Sequence, residues 1–115
     1  NEVLLAALGR VLERWTGCAR VAVNLEGHGR EELFDGVDLT RTVGWFTAIH
    51  PVALDVSGSG ERGWGAVLKS VKEQLRAVPD RGVGYGALRY LSAPGSPGRV
   101  LAADAQPQIS FNYHG

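Results

Sequence analysis

From Trp64 onward, Val67, Leu68, Val71, Leu75 and Val78 recur at the spacing of one helical face, and Pro79 follows directly. An amphipathic stripe of this kind is stable only when its apolar side lies on another layer, and the proline ends the helix. The rest of the chain must supply that layer. Val21, Val23 and Leu25 alternate with Ala22, Asn24 and Glu26, the period of a half-buried strand that sends Asn24 and Glu26 away from the apolar side. A second stripe, Leu4, Leu8, Val11, Leu12 and Trp15, predicts an earlier helix ending near Gly17. Arg41 to Val56 is rich in β-branched, aromatic and small apolar residues and predicts extended structure broken or bulged near Pro51, with Trp45 and Phe46 in the core. Ser57-Gly58-Ser59-Gly60 reads as a connector, Pro79 to Gly86 as a glycine-rich turn, Tyr85 to Leu91 as a short helix, and Ala93 to Gly98 as a loop. Ile109, Phe111 and Tyr113 alternate as a closing strand. This order predicts an α/β layer structure with helices packed against a sheet.

At 115 residues the chain has room for one modest core, so it is read as a single unit. The 12 basic and 12 acidic residues leave no net charge, which argues against nucleic acid as a partner. No apolar run approaches the roughly 20 residues that cross a bilayer. Neither a membrane contact nor a secretory leader is indicated, and a cytoplasmic location is expected. Cys18 stands alone among small and apolar neighbours and is expected to be a buried, inert thiol.

Glu26-Gly27-His28-Gly29-Arg30-Glu31 places four ionisable groups within six residues at the end of the predicted strand. Such a loop is either a solvated charged turn or an acid–base site, and spacing alone leaves both open. His28, His50 and His114 are far apart and lack a second ligand at metal-binding spacing, so no metal is expected. Gly82-Val83-Gly84-Tyr85-Gly86 follows a helix and lacks the Lys-Ser/Thr of a nucleotide-binding loop, and no Gly-x-Ser-x-Gly elbow occurs.

Taken in order, Glu2-Val3-Leu4-Leu5-Ala6-Ala7-Leu8-Gly9, the Glu26 to Glu31 loop, Arg41-Thr42-Val43-Gly44-Trp45-Phe46-Thr47 followed by Pro51, Pro79-Asp80-Arg81-Gly82-Val83-Gly84-Tyr85-Gly86, and Phe111-Asn112-Tyr113 resemble a known series. It is the motif series of the epimerization domains of non-ribosomal peptide synthetases, relatives of the condensation domains. The Glu26 loop is the element that looks specifically like an epimerization domain. No His-His-x-x-x-Asp string occurs, and His114 stands where leucine is more usual. The resemblance is therefore to the later part of the domain only, residues 1–115 forming most of its C-terminal lobe, and the isolated chain is expected to be inactive.

The resemblance implies a chloramphenicol acetyltransferase-like lobe, a partial domain with a mixed β-sheet and helices packed on it. It implies an isomerase that inverts an L-aminoacyl or peptidyl thioester carried on the phosphopantetheine of a peptidyl carrier domain, with no cofactor bound by this lobe. By motif matching, Glu26 and Tyr113 are the implied catalytic groups, with His28, Arg30 and Asn112 orienting the loop or lining the substrate tunnel and Glu31 pairing with Arg30. The N-terminal lobe of the same domain would supply a histidine on the opposite face of the α-carbon. The alternatives are a non-catalytic carrier-docking or gating lobe and a peptide-bond-forming condensation domain.

Overall fold

The computed structural model describes residues 1–57 and 63–114. Its elements are α1 (Glu2–Thr16), β1 (Arg20–Gly27), β2 (Ala48–Asp55), α2 (Trp64–Arg76), a 3₁₀ turn at Pro79–Gly82, α3 (Tyr85–Leu91), a second 3₁₀ turn at Pro97–Arg99, α4 (Val100–Ala103) and β3 (Ser110–Phe111). The expected connector lies outside the described residues from Gly58 onward. The sheet order is β2-β1-β3. β1 and β2 pair antiparallel along their full length, from Arg20 opposite Asp55 to Gly27 opposite Ala48. β3 runs parallel to β1, with Asn24 opposite Ser110 and Leu25 opposite Phe111. This is the mixed α/β architecture that the periodicities imply.

One apolar layer holds these elements together. Val21 and Val23 of β1, Val52 and Leu54 of β2, Val67 and Val71 of α2, and Leu5, Ala6 and Leu12 of α1 form a single buried cluster. Alternate strand residues face it, as a pleated strand requires. Gln74 fastens α2 to the end of β2 by accepting the Asp55 N–H at 2.7 Å and donating to the Asp55 carbonyl at 2.9 Å. Arg89 of α3 donates to the carbonyls of Leu101 and Ala102, which ties α3 to α4.

Several sequence expectations need correction. In α1 the buried side is Leu5, Ala6, Gly9 and Leu12, whereas Leu4, Val11 and Trp15 of the expected stripe are exposed. The side carrying Ala6 and Gly9 allows the closest approach to the sheet, and close packing outweighs side-chain bulk. Pro51 does not break β2, because β2 is an edge strand and proline is accommodated there. Trp45 and Phe46 lie in a strandless segment and are exposed. Cys18 is also exposed; it follows the left-handed end of α1 at Gly17 and sits outside the sheet–helix layer. The closing strand is limited to Ser110–Phe111, and Tyr113 lies beyond it. Leu68 is partly buried and Val67 and Val71 form the seam, so the α2 stripe is narrower than its apolar residues suggest.

Candidate active site

β1 ends at Gly27, and the chain turns sharply through the loop that follows. Gly29 has φ +66, and a Cβ there would lie 1.6 Å from the Phe46 carbonyl oxygen. Only glycine satisfies both the left-handed backbone and the close approach. Arg30, next in the chain, donates to the Leu39 carbonyl at 2.9 Å and to the Gly44 carbonyl at 3.0 Å, and its guanidinium lies 4.4 Å from the centre of the Phe46 ring. It thereby fastens the long segment between β1 and β2 to the turn.

A cleft of about 550 Å³ opens at this end of the sheet. Its lining includes Glu26 and Leu25 from β1, His28 and Glu31 from the loop, His50 from β2, Arg81 from the 3₁₀ turn and Tyr113 from the last segment. The structure therefore brings Glu26, His28 and Tyr113 together across most of the length of the chain. Arg30 stands outside the cleft, engaged with backbone carbonyls. Asn112 is exposed and does not line the cleft.

The expected Glu31–Arg30 pair does not form. Glu31 instead pairs with His28, Nε2 to Oε1 at 3.4 Å, and with Arg81, Nη1 to Oε2 at 3.3 Å. The reason is that Arg30 points to the carbonyls of Leu39 and Gly44, leaving the Glu31 carboxylate to groups on the cleft side. His28 Nδ1 accepts the Arg30 N–H at 2.9 Å. With Nδ1 an acceptor, the neutral ring carries its proton on Nε2 and donates toward Glu31.

Two residues escaped the sequence reading as site components. His50 is 7% exposed, with Nδ1 buried and unpartnered. It continues the buried series His50, Val52, Leu54 of β2, a parity that would have placed it on the core side. It packs beneath Gly82, whose φ is +81 and whose added Cβ would overlap the imidazole at 2.1 Å. Arg81 reaches Glu31 from fifty residues away, and no local pattern announces such a contact.

Burial pushes the His50 imidazole below its ordinary pKa. Unfolding therefore takes up a proton between that lowered value and the ordinary one near ~6.5. Stability is full above the ordinary value and is lost as pH falls through this window. In the complete domain, the melting temperature is expected to fall as pH drops below the ordinary histidine value near ~6.5, and His50→Phe to flatten that slope. An identical slope in the variant would show that His50 does not titrate on unfolding.

Among the described residues no group of three or more His, Cys, Asp and Glu side chains converges to hold a metal ion. No described helix is long and apolar enough to cross a membrane.

The fold is an α/β lobe with a cleft of ionisable side chains at one end of its sheet, and the sequence pattern of the condensation domain matches residues 1–115. The chain belongs to the condensation-domain family of non-ribosomal peptide synthetases. It is 59% identical over 115 residues to a linear gramicidin synthase subunit of Brevibacillus parabrevis, covering all of this chain and 2% of that protein. It is 50% identical to surfactin synthase subunit 1 of Bacillus subtilis (strain 168), again over the whole chain and 3% of the relative. The chain thus spans a small fraction of the relatives it matches. Among solved structures it is similar to the epimerization domain from the third module of tyrocidine synthetase B, with TM-score 0.83 and 42% identity over 98% of this chain and 24% of that one. The first condensation domain of the CDA synthetase shares the fold, with TM-score 0.60 and 24% identity over 83% of this chain and 21% of that one.

Proposed function

We propose that this lobe belongs to an epimerization domain, in which Glu26 exchanges the α-proton of an aminoacyl or peptidyl thioester carried on the phosphopantetheine of a carrier domain. The observation that carries this reading is the meeting of Glu26, His28 and Tyr113 in one cleft at the end of β1. The likeness to the tyrocidine synthetase epimerization domain over nearly the whole chain supports it.

The chemistry follows from the thioester, which acidifies the adjacent α-carbon. The Glu26 carboxylate takes the α-proton, the C–H electron pair moves onto the thioester oxygen as an enolate, and the Tyr113 hydroxyl donates a hydrogen bond to that oxygen. A histidine of the N-terminal lobe then delivers a proton to the opposite face, giving the inverted centre. In the reverse direction the two groups exchange roles. The His28 loop and Arg30 hold the end of β1 in place, and the neighbouring carrier domain and N-terminal lobe are the partners this mechanism needs.

The test uses the complete domain with an L-aminoacyl carrier domain and, separately, with a second aminoacyl carrier as acceptor. A time-dependent rise in the D to L ratio of the released amino acid is expected. Peptide-bond formation with an unchanged α-centre would overturn the reading in favour of condensation.

A further inference from the structure

The Pro79–Gly82 turn has an unusual backbone. Asp80 and Arg81 both take left-handed φ values, 46 and 49, and Gly82 continues at 81. Three such residues in succession, two of them not glycine, are strained, and strained backbone of this kind persists where the surroundings over-determine it. Here the surroundings are specific. Gly82 lies directly against the buried His50 ring, and Arg81 is delivered to Glu31.

Glu31 is the pivot of this arrangement. Its side chain is 18% exposed, while its two partners are far more open, His28 at 62% and Arg81 at 77%. One carboxylate oxygen engages Arg81 and the other engages His28 Nε2. The opposite nitrogen of the same imidazole accepts the Arg30 N–H and so fixes the turn that leaves β1 two residues after Glu26. Arg81, Glu31, His28 and the Arg30 amide thus form a continuous chain from the strained turn to the end of the strand that presents Glu26.

We infer that Arg81 is a positioning residue for the acid–base cleft, acting through Glu31 and His28 on the loop that holds Glu26; this rests on the proposed proton transfer by Glu26. Because Arg81 is mostly solvent-exposed, its ion pair contributes little to global stability. Its effect falls on the geometry of the loop. Without the guanidinium, Glu31 loses one of its two partners and the His28 ring loses the fixed carboxylate that orients it.

In the complete domain, Arg81→Ala is expected to lower kcat for inversion by about 5- to 30-fold, with KM for the aminoacyl carrier and the melting temperature nearly unchanged. Arg81→Lys, which restores a cation at that point, recovers most of the rate. Glu31→Gln gives a comparable loss, and the double variant Arg81→Ala/Glu31→Gln is no slower than the worse single variant, the non-additivity of residues acting in one network. Amide hydrogen exchange of the segment spanning residues 27–33 supplies a readout independent of turnover, and it is expected to quicken in Arg81→Ala. Unchanged exchange in that segment would overturn the inference whether or not the domain inverts substrate. If the wild-type domain inverts and Glu26→Gln is impaired, but Arg81→Ala turns over at the wild-type rate, the inference falls and the functional reading stands. If the wild-type domain does not invert and exchange still quickens, the functional reading falls and the structural coupling stands.

Discussion

Replacing Glu26 by glutamine in the complete domain is expected to slow inversion by about 10² to 10⁴, the contribution of a positioned acid–base group. Glutamine keeps the shape of the side chain and removes the proton acceptor. Glu26 sits near the last paired position of β1, opposite Ile49, within the cleft that also holds His28 and Tyr113. It belongs to the register series Ala22, Asn24 and Glu26, which alternates with the buried Val21 and Val23. The substitution should therefore leave the core and the melting temperature nearly intact. A glutamate with a structural role would show the reverse, a drop in stability with activity falling only in proportion to lost folded protein. Measuring the D to L ratio at short times beside the melting temperature separates the two. Wild-type rates in Glu26→Gln would remove Glu26 from the mechanism and make Glu31 the next carboxylate to test.

Leu54→Ala is expected to destabilise the domain by about 2–5 kcal/mol, the range for removing a fully buried leucine side chain. Leu54 is 0% exposed, on the buried side of β2 within the cluster shared with α1 and α2. Leu68→Ala makes the contrast. Leu68 packs only partly against that cluster, and part of its surface already meets water, so its truncation loses less transfer energy and leaves less of a cavity. Urea unfolding of both variants in the complete domain checks the ordering. Equal midpoint shifts would place the centre of the core nearer α2 than the structure does.

α1, α2, α3 and the first strand were legible because their signals are local, whereas the single turn of α4 at Val100–Ala103 was not anticipated. The Trp64 to Val78 stripe, the Val21, Val23, Leu25 alternation and the Tyr85 to Leu91 segment all formed close to where the pattern placed them. The β1 loop was legible as a concentration of ionisable groups, and the motif series singled out Glu26, His28, Arg30, Asn112 and Tyr113, of which Glu26, His28 and Tyr113 line one cleft while Arg30 and Asn112 lie outside it. What the pattern missed is tertiary. The buried side of α1 depends on how closely Ala6 and Gly9 let the helix approach the sheet, which residue size hides from a periodicity count. The aromatic run at Trp45 and Phe46 looks like core by composition but lies in a segment fastened by Arg30 to backbone carbonyls. Glu31 finds Arg81 rather than Arg30 because the partners are set by the turn at Asp80 and Arg81, whose left-handed backbone no propensity favours. His50 was readable in principle, since its parity with Val52 and Leu54 marks the buried side of β2, but the break expected near Pro51 separated it from that series.

If Glu26 is the base, the C–H bond at the substrate α-carbon breaks in this cleft. The most direct test is to incubate the complete domain with an L-aminoacyl carrier domain in deuterium oxide, hydrolyse the thioester and measure the mass of the released amino acid. Solvent deuterium at the α-carbon is predicted, accumulating with time in the wild-type domain and much more slowly in Glu26→Gln. Full retention of the original α-proton by the wild-type domain, with the carrier loaded and docked, would contradict that assignment.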